Sequence, residues 1–230
     1  MVPGRGPRTV KHIQRFANDP GNGLQFSRLE WTDLGLFLPA DATYRRLAWS
    51  DFTTRKLPAP SAGSTADAAF TDVVVNLQPF SLDFRAAPYL KPPKTFKMVQ
   101  DPNVIVRLNT GQMWVADWVF SRPAAIQTAL LNHEQGHYDI AMMNAGDVFA
   151  ALIDINGGAF ETAKAGTAAL KDAQSMLSNG QAIQKKYDSD TNGSLNAAKQ
   201  AAWDTALRTA RITFVFPPLR TALKNAGLFP

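Results

Sequence analysis

Residues 126–141 read IQTALLNHEQGHYDIA and place two of the chain's three histidines and one of its three glutamates within a single helical turn. His133 and His137 are four residues apart, so on a helix their Cβ atoms stand about 5–6 Å apart and both imidazoles can reach one ion. Glu134, displaced by one residue, can contact a water beside that ion without displacing either ring. This H-E-x-x-H spacing supplies zinc with two nitrogens and the water with a general base. Ile126, Leu130, His133, His137 and Ala141 fall along one helical stripe, the pattern of an inward-facing surface. The competing reading, two core histidines that flank a glutamate, would bury an unpaired carboxylate at considerable cost. Asp139 lies roughly 200° around the helix from His137 and is expected at the surface. Asn144 is nearly aligned with His137 two turns on and is expected to line the cleft.

The motif sits in the helical half of a chain with two distinct characters. Residues 1–23 are rich in Gly, Pro and Arg without periodicity, and read as a flexible basic arm. Residues 24–230 are expected to form a single domain, β-rich over 24–120 and helical over 121–230. The clearest strand-like runs are LGLFLP, FTDVVVNL, NVIVRLN and QMWVADWVF, the last two joined through Asn109-Thr110-Gly111 as a hairpin. LPAPSAGSTADA reads as a loop. Ser121 is placed to cap a helix over about 122–155, with Pro123 in its first turn and Asn156-Gly157-Gly158 at its end. Further helices are expected over about 160–187 and 195–215, the latter stopped by Pro217-Pro218, with a short turn around 219–226. The fold class is α+β, an N-terminal mainly β half packed on a C-terminal helical half. Trp114, Trp118 and Trp203 are expected in the core rather than as substrate platforms.

Composition narrows the alternatives. Hydrophobic residues make up 45% and charged residues 19%, the balance of a globular domain rather than a disordered chain. With no cysteine, any metal must be held by nitrogen and oxygen. The formal charge of +5 is spread along the chain without the basic block of about 5–8 residues that points to nucleic acid. No run approaches the roughly 18 apolar residues of a membrane span. The opening MVPGRGPRTVKHIQRF lacks the apolar stretch of a secretory leader, so none is expected there.

Three segments together resemble a known family. Leu47-Ala48-Trp49-Ser50-Asp51-Phe52, HEQGHYDIA at 133–141, and Tyr187-Asp188-Ser189-Asp190-Thr191 followed by Gln200 and Trp203 are similar to the predicted secreted zinc-dependent proteases of bacteria, a domain family of unknown function. The resemblance spans about residues 45–205 and implies a zincin-like fold, a hydrolase and a secreted or periplasmic location. It also implies a tyrosine beside the third zinc ligand, which makes Tyr187 the first candidate for an oxyanion donor; packing is the alternative role. In that family the Tyr-Asp-x-x-Thr segment leads into a histidine, where this chain has Asn192-Gly193-Ser194. The other histidine, His12, lies in the basic arm.

Two sets of residues compete for the missing ligand, and the second has rival readings of its own. Glu161 follows His137 in sequence, but an unbroken helix from His137 to about 153 would carry the chain about 24 Å away. A second helix returning from Gly157-Gly158 brings Asp188 or Asp190 back toward the histidines. The stretch Asp188-x-Asp190-x-Asn192-Gly193-x-Leu195 also matches the first part of a calcium loop, with Lys199 where a bidentate glutamate belongs, so weak Ca2+ binding at 188–194 is a rival. A third reading has these residues turn the chain and cap the next helix.

The expected function is zinc-dependent peptide hydrolysis, with Glu134 as general base and a peptide or protein as partner. A substrate strand is expected to add along VIVRLN or QMWVADWVF. The alternative is a catalytically degenerate metal-binding or protein-interaction module that retains the protease fold.

Overall fold

The computed structural model describes residues 10–15, 23–31, 46–52, 54–56, 68–78, 83–86, 96–98, 103–212 and 218–229. Among the described residues, nine strands precede four helices: β1 (Val10–Arg15), β2 (Gly23–Trp31), β3 (Thr54–Lys56), β4 (Ala69–Phe70), β5 (Val73–Gln78), β6 (Phe84–Ala86), β7 (Phe96–Met98), β8 (Asn103–Leu108), β9 (Trp114–Ala116), α1 (Ala124–Gly157), α2 (Ala163–Thr191), α3 (Ala197–Ile212) and α4 (Pro218–Asn225). The α+β reading holds, strands first and helices after.

The strands form three small sheets, ordered β1-β2-β8-β5, β3-β9-β4 and β6-β7. Val75 opposes Val106 and Val73 opposes Leu108 in the β5–β8 ladder, pairs of the branched apolar type that suit a pleated surface. Two expectations change here. Val10–Arg15, assigned to the arm, forms an edge strand paired with β2; its local sequence VKHIQR includes the strand formers Val10 and Ile13. Gln112 N does hydrogen-bond Asn109 O as a turn requires, but β8 and β9 then join different sheets, so they are not a hairpin. The LGLFLP run lies outside the described residues.

Helix α1 runs unbroken for 34 residues. It has apolar residues on two faces because it is covered on two sides. Tyr138, Met142, Ala145, Val148, Phe149 and Leu152 join Val104, Leu108 and Val115 in one core. Ile140 and Met143 join Ile183, Trp203, Leu207, Leu219 and Leu223 in a second core among the helices. Trp203 is fully buried, while Trp114 and Trp118 are partly buried against the first core, as expected of packing residues. At the start of the inward stripe the expectation fails: Ile126 is 43% exposed, because the first turn of α1 projects beyond the packing surface. Ser121 does not cap α1 either. It belongs to a 3-10 turn, where its hydroxyl donates to Trp118 O, and Pro123 occupies the cap position.

Helix α2 begins at Thr162, whose side chain accepts from Ala165 N, and runs back along α1. Two glycines set how closely the pair approach. A Cβ on Gly136 would stand 2.6 Å from Tyr187 Cζ, and one on Gly180 would stand 3.0 Å from Asn144 Cγ. These contacts lie on either side of His137 and bring the end of α2 over the histidines. Asn192, Gly193 and Ser194 then turn the chain with positive φ angles of 48°, 57° and 77°, and Asn196 caps α3 by accepting from Lys199 N.

Candidate metal centre

The five residues of the motif have five different surroundings, set by their positions around α1. His133 is buried and His137 is 16% exposed at its side chain. Their Nε2 atoms approach to 3.2 Å. Glu134, 4% exposed, accepts a 2.6 Å hydrogen bond from the Thr71 hydroxyl. Gln135 accepts from Leu47 N at 2.8 Å and donates to Asp139 at 2.9 Å. Gly136 admits the Tyr187 ring.

Asp188, from the last turn of α2, completes the group. Its Oδ1 lies 3.3 Å from His133 Nε2 and 2.9 Å from His137 Nε2. His133, His137 and Asp188 thus form a cluster that could hold a metal ion.

The neighbouring hydrogen bonds fix which imidazole nitrogen carries the proton. Gln184 Nε2 donates to His137 O, so its Oε1, 2.6 Å from His137 Nδ1, accepts the proton there. Thr191 donates its hydroxyl to Tyr187 O, so its oxygen accepts from His133 Nδ1 at 3.2 Å. Gln200 Nε2 faces the Tyr187 hydroxyl and the Asp204 carboxylate, which leaves its Oε1 as a second acceptor, 3.3 Å from His133 Nδ1. Both histidines therefore carry Nδ1–H, and both Nε2 lone pairs point at Asp188 Oδ1. Three converging lone pairs demand a proton or a metal cation between them.

The electrostatics follow from the same geometry. Burial opposes the charge on Asp188, yet the His133 and His137 imidazoles, which donate to it from Nε2 when they carry a second proton, outweigh this and hold the carboxyl well below the usual carboxylate range. Burial depresses His137, but Asp188, with Glu134 close by, more than offsets this and leaves its pKa raised.

Tyr187 does not face the cleft. It is fully buried, stacks on His133 with ring planes 13° apart, and donates to His133 O at 3.1 Å. Burial drives its phenol pKa well above the ordinary value. Of the two roles expected for Tyr187 the structure shows packing, against His133, because Gly136 lets the ring sink against α1.

Asp190 is not in the cluster. Residues 188 and 190 both lie on α2, which continues through Thr191, so they point about 200° apart. Asp190 pairs with Lys186 at 2.8 Å and accepts from Trp203 Nε1 at 3.0 Å. Burial works against its charge, but these two partners lower its pKa. The same helix removes the calcium reading, since Asp188 and Asp190 cannot converge on one ion. Glu161 is exposed beyond the far end of α1, and Gly146 leaves that helix unbroken. His12 lies in the edge strand β1.

Two predictions about α1 also fail. Asp139 is 3% exposed rather than solvated, because α1 is covered on that face too. Asn144 is buried against Gly180, so it packs the two helices together instead of lining the cleft. Gln184 was not anticipated, and Thr191 and Gln200 entered only through the family resemblance, with no role given to them. Gln184 stands four residues before Asp188, a spacing that places both on one face of α2.

The cluster opens into a cleft of about 700 Å3 whose lining includes Phe70, Thr71, Leu130, Glu134, Lys185 and Gly193. β8 and β9, the strands expected to take a substrate, each have neighbours on both sides. Among the described residues, the edge strands that reach the cleft are β4, through Ala69 and Phe70, and β5, through Val73. Among the described residues, no helix is long and apolar enough to cross a membrane.

No protein-family model, curated protein or solved structure matches the chain.

Proposed function

We propose that the protein is a zinc-dependent metallopeptidase in which His133, His137 and Asp188 hold the metal and Glu134 is the general base. The observation that carries this reading is the separation of the three ligand atoms, 3.2, 3.3 and 2.9 Å. Donors about 2.0–2.1 Å from a tetrahedral zinc stand roughly 3.3 Å apart, so two of the separations are those of a zinc site and the third, between His137 and Asp188, would open by a few tenths of an ångström. Two imidazoles and one carboxylate also form an ordinary donor set for a catalytic zinc with one open position.

Zinc in such a site polarises a carbonyl and makes a bound water acidic near neutral pH. The protein's own residues supply the rest. Glu134, beside His133 on the wall of the cleft, takes the proton from water and passes it to the leaving amine. Gln184, Thr191 and Gln200 keep the protons on the Nδ1 atoms and the rings aimed. The exposed β4 edge offers backbone groups with which an extended peptide would pair. The sequence resemblance to secreted bacterial zinc-dependent proteases supports the same assignment.

The test is elemental analysis of the purified chain together with cleavage of an unfolded protein such as reduced casein. One zinc per chain, and cleavage stopped by a chelator and restored by zinc, are expected. Zinc without cleavage would favour the degenerate metal-binding module, and no zinc at micromolar concentrations would overturn the metallopeptidase and leave the protein-interaction module.

A further inference from the structure

The loop between β4 and β5 holds the other partner of Glu134. Thr71 lies between two anchored points. On one side Ala116 N donates to Ala68 O at 2.8 Å, and Ala69 and Phe70 pair with β9. On the other, Asp72 accepts twice from Asn109: the side-chain amide reaches Asp72 Oδ2 at 2.8 Å, and the backbone N–H reaches Asp72 O at 3.0 Å. The position of the Thr71 hydroxyl is therefore set by the sheets rather than by α1, and it donates to Glu134 Oε2 at 2.6 Å. Both residues line the cleft that contains the histidines.

A glutamate side chain has three rotatable bonds, and its backbone position on α1 alone does not fix where its carboxylate points. We infer that Thr71 is the positioning residue for Glu134, holding Oε2 so that Oε1 is presented to the group bound at the metal. The inference rests on the metallopeptidase reading and adds to it a residue from the β half of the chain. It also explains why the first half of the fold is needed by a motif contained wholly in α1: the helix supplies the carboxylate and the sheets supply its orientation.

The test uses the zinc-loaded full chain and acetohydroxamate, a small zinc-binding acid that can hydrogen-bond the carboxylate beside the metal. Calorimetry gives its affinity for the wild type, Thr71→Val, Glu134→Ala and the double variant, with zinc content measured on each. Glu134→Ala is expected to weaken binding by about tenfold or more, the scale of a charge-assisted hydrogen bond. Thr71→Val should weaken it by roughly threefold to tenfold in the wild type and have no effect in the Glu134→Ala background, the non-additivity of two groups acting as one. Thr71→Ser, which restores the hydroxyl, should behave as wild type and guards against a folding defect in the valine variant. Equal losses in both backgrounds, or no loss in either, would overturn the role of Thr71 while leaving the metal site intact. Failure of the wild type to load zinc would overturn both.

Discussion

Tyr187 lies flat against His133, its ring centroid 4.7 Å from the imidazole, while its hydroxyl donates to the backbone carbonyl of the same residue at 3.1 Å. One side chain of α2 thus fixes both the ring and the backbone of a histidine of the cluster on α1. The contact depends on the missing side chain at Gly136, and it brings the following residue, Asp188, to the two histidines.

The first prediction follows from that closeness. Gly136→Ala should destabilise the protein by about 1–3 kcal/mol, since the added methyl meets the Tyr187 ring in a packed interface. Gly146→Ala is the control: its Cβ would meet nothing within 4 Å, and relief of glycine's helix penalty should stabilise by roughly 0.5–1 kcal/mol. Urea unfolding of the two variants measures both, and equal effects would discredit the close approach.

The two aspartates of α2 should separate cleanly. Asp188→Ala is predicted to weaken zinc binding by more than about hundredfold, beyond the range of outer-shell changes. Asp190→Ala should retain zinc and lose stability instead, because it leaves the indole N–H of Trp203 without its acceptor. Competition with a zinc-binding dye, alongside thermal melting, reads both effects.

For Glu134→Gln, near-complete loss of peptide cleavage is expected with one zinc retained per chain. The amide keeps the shape and an acceptor for Thr71 but cannot take a proton from water. Elemental analysis and a casein digest on the same preparation would test this, and surviving cleavage would exclude Glu134 as the base.

A pH dependence should arise away from the metal. Asp147 is 1% exposed, and its carboxylate faces the backbone amides at the start of α4 and the Arg220 guanidinium. Burial pushes its pKa up to about 7, against the opposing pull of the Leu219 and Arg220 amides and the Arg220 guanidinium. With the folded pKa above the ordinary 3.8, the stabilising contribution is complete below the unfolded value. It is lost as pH rises through about 7. Global stability should therefore decline between those limits by an amount on the order of a few kcal/mol. Asp147→Asn should flatten that part of the profile in chemical denaturation measured from pH 4 to 8.

Local spacing was enough to single out the residues on α1 that meet at the cleft. His133, Glu134 and His137 lie within one turn, so helical geometry alone fixes their relative positions, and the division into a β half and a helical half follows from periodicity. The sequence also limited the third ligand to a few carboxylates. It could not choose between Asp188 and Asp190, because that choice depended on whether the region was loop or helix and on which face of α2 met α1. Nor could it show that Tyr187 sinks beneath His133, that β4 and β5 rather than β8 or β9 are sheet edges among the described residues, or that Thr71 reaches Glu134 from 63 residues away. Each of these is a contact between segments distant in the chain. Such contacts are decided by how closely helices approach and how sheets pack, and residue spacing within one element carries no record of either.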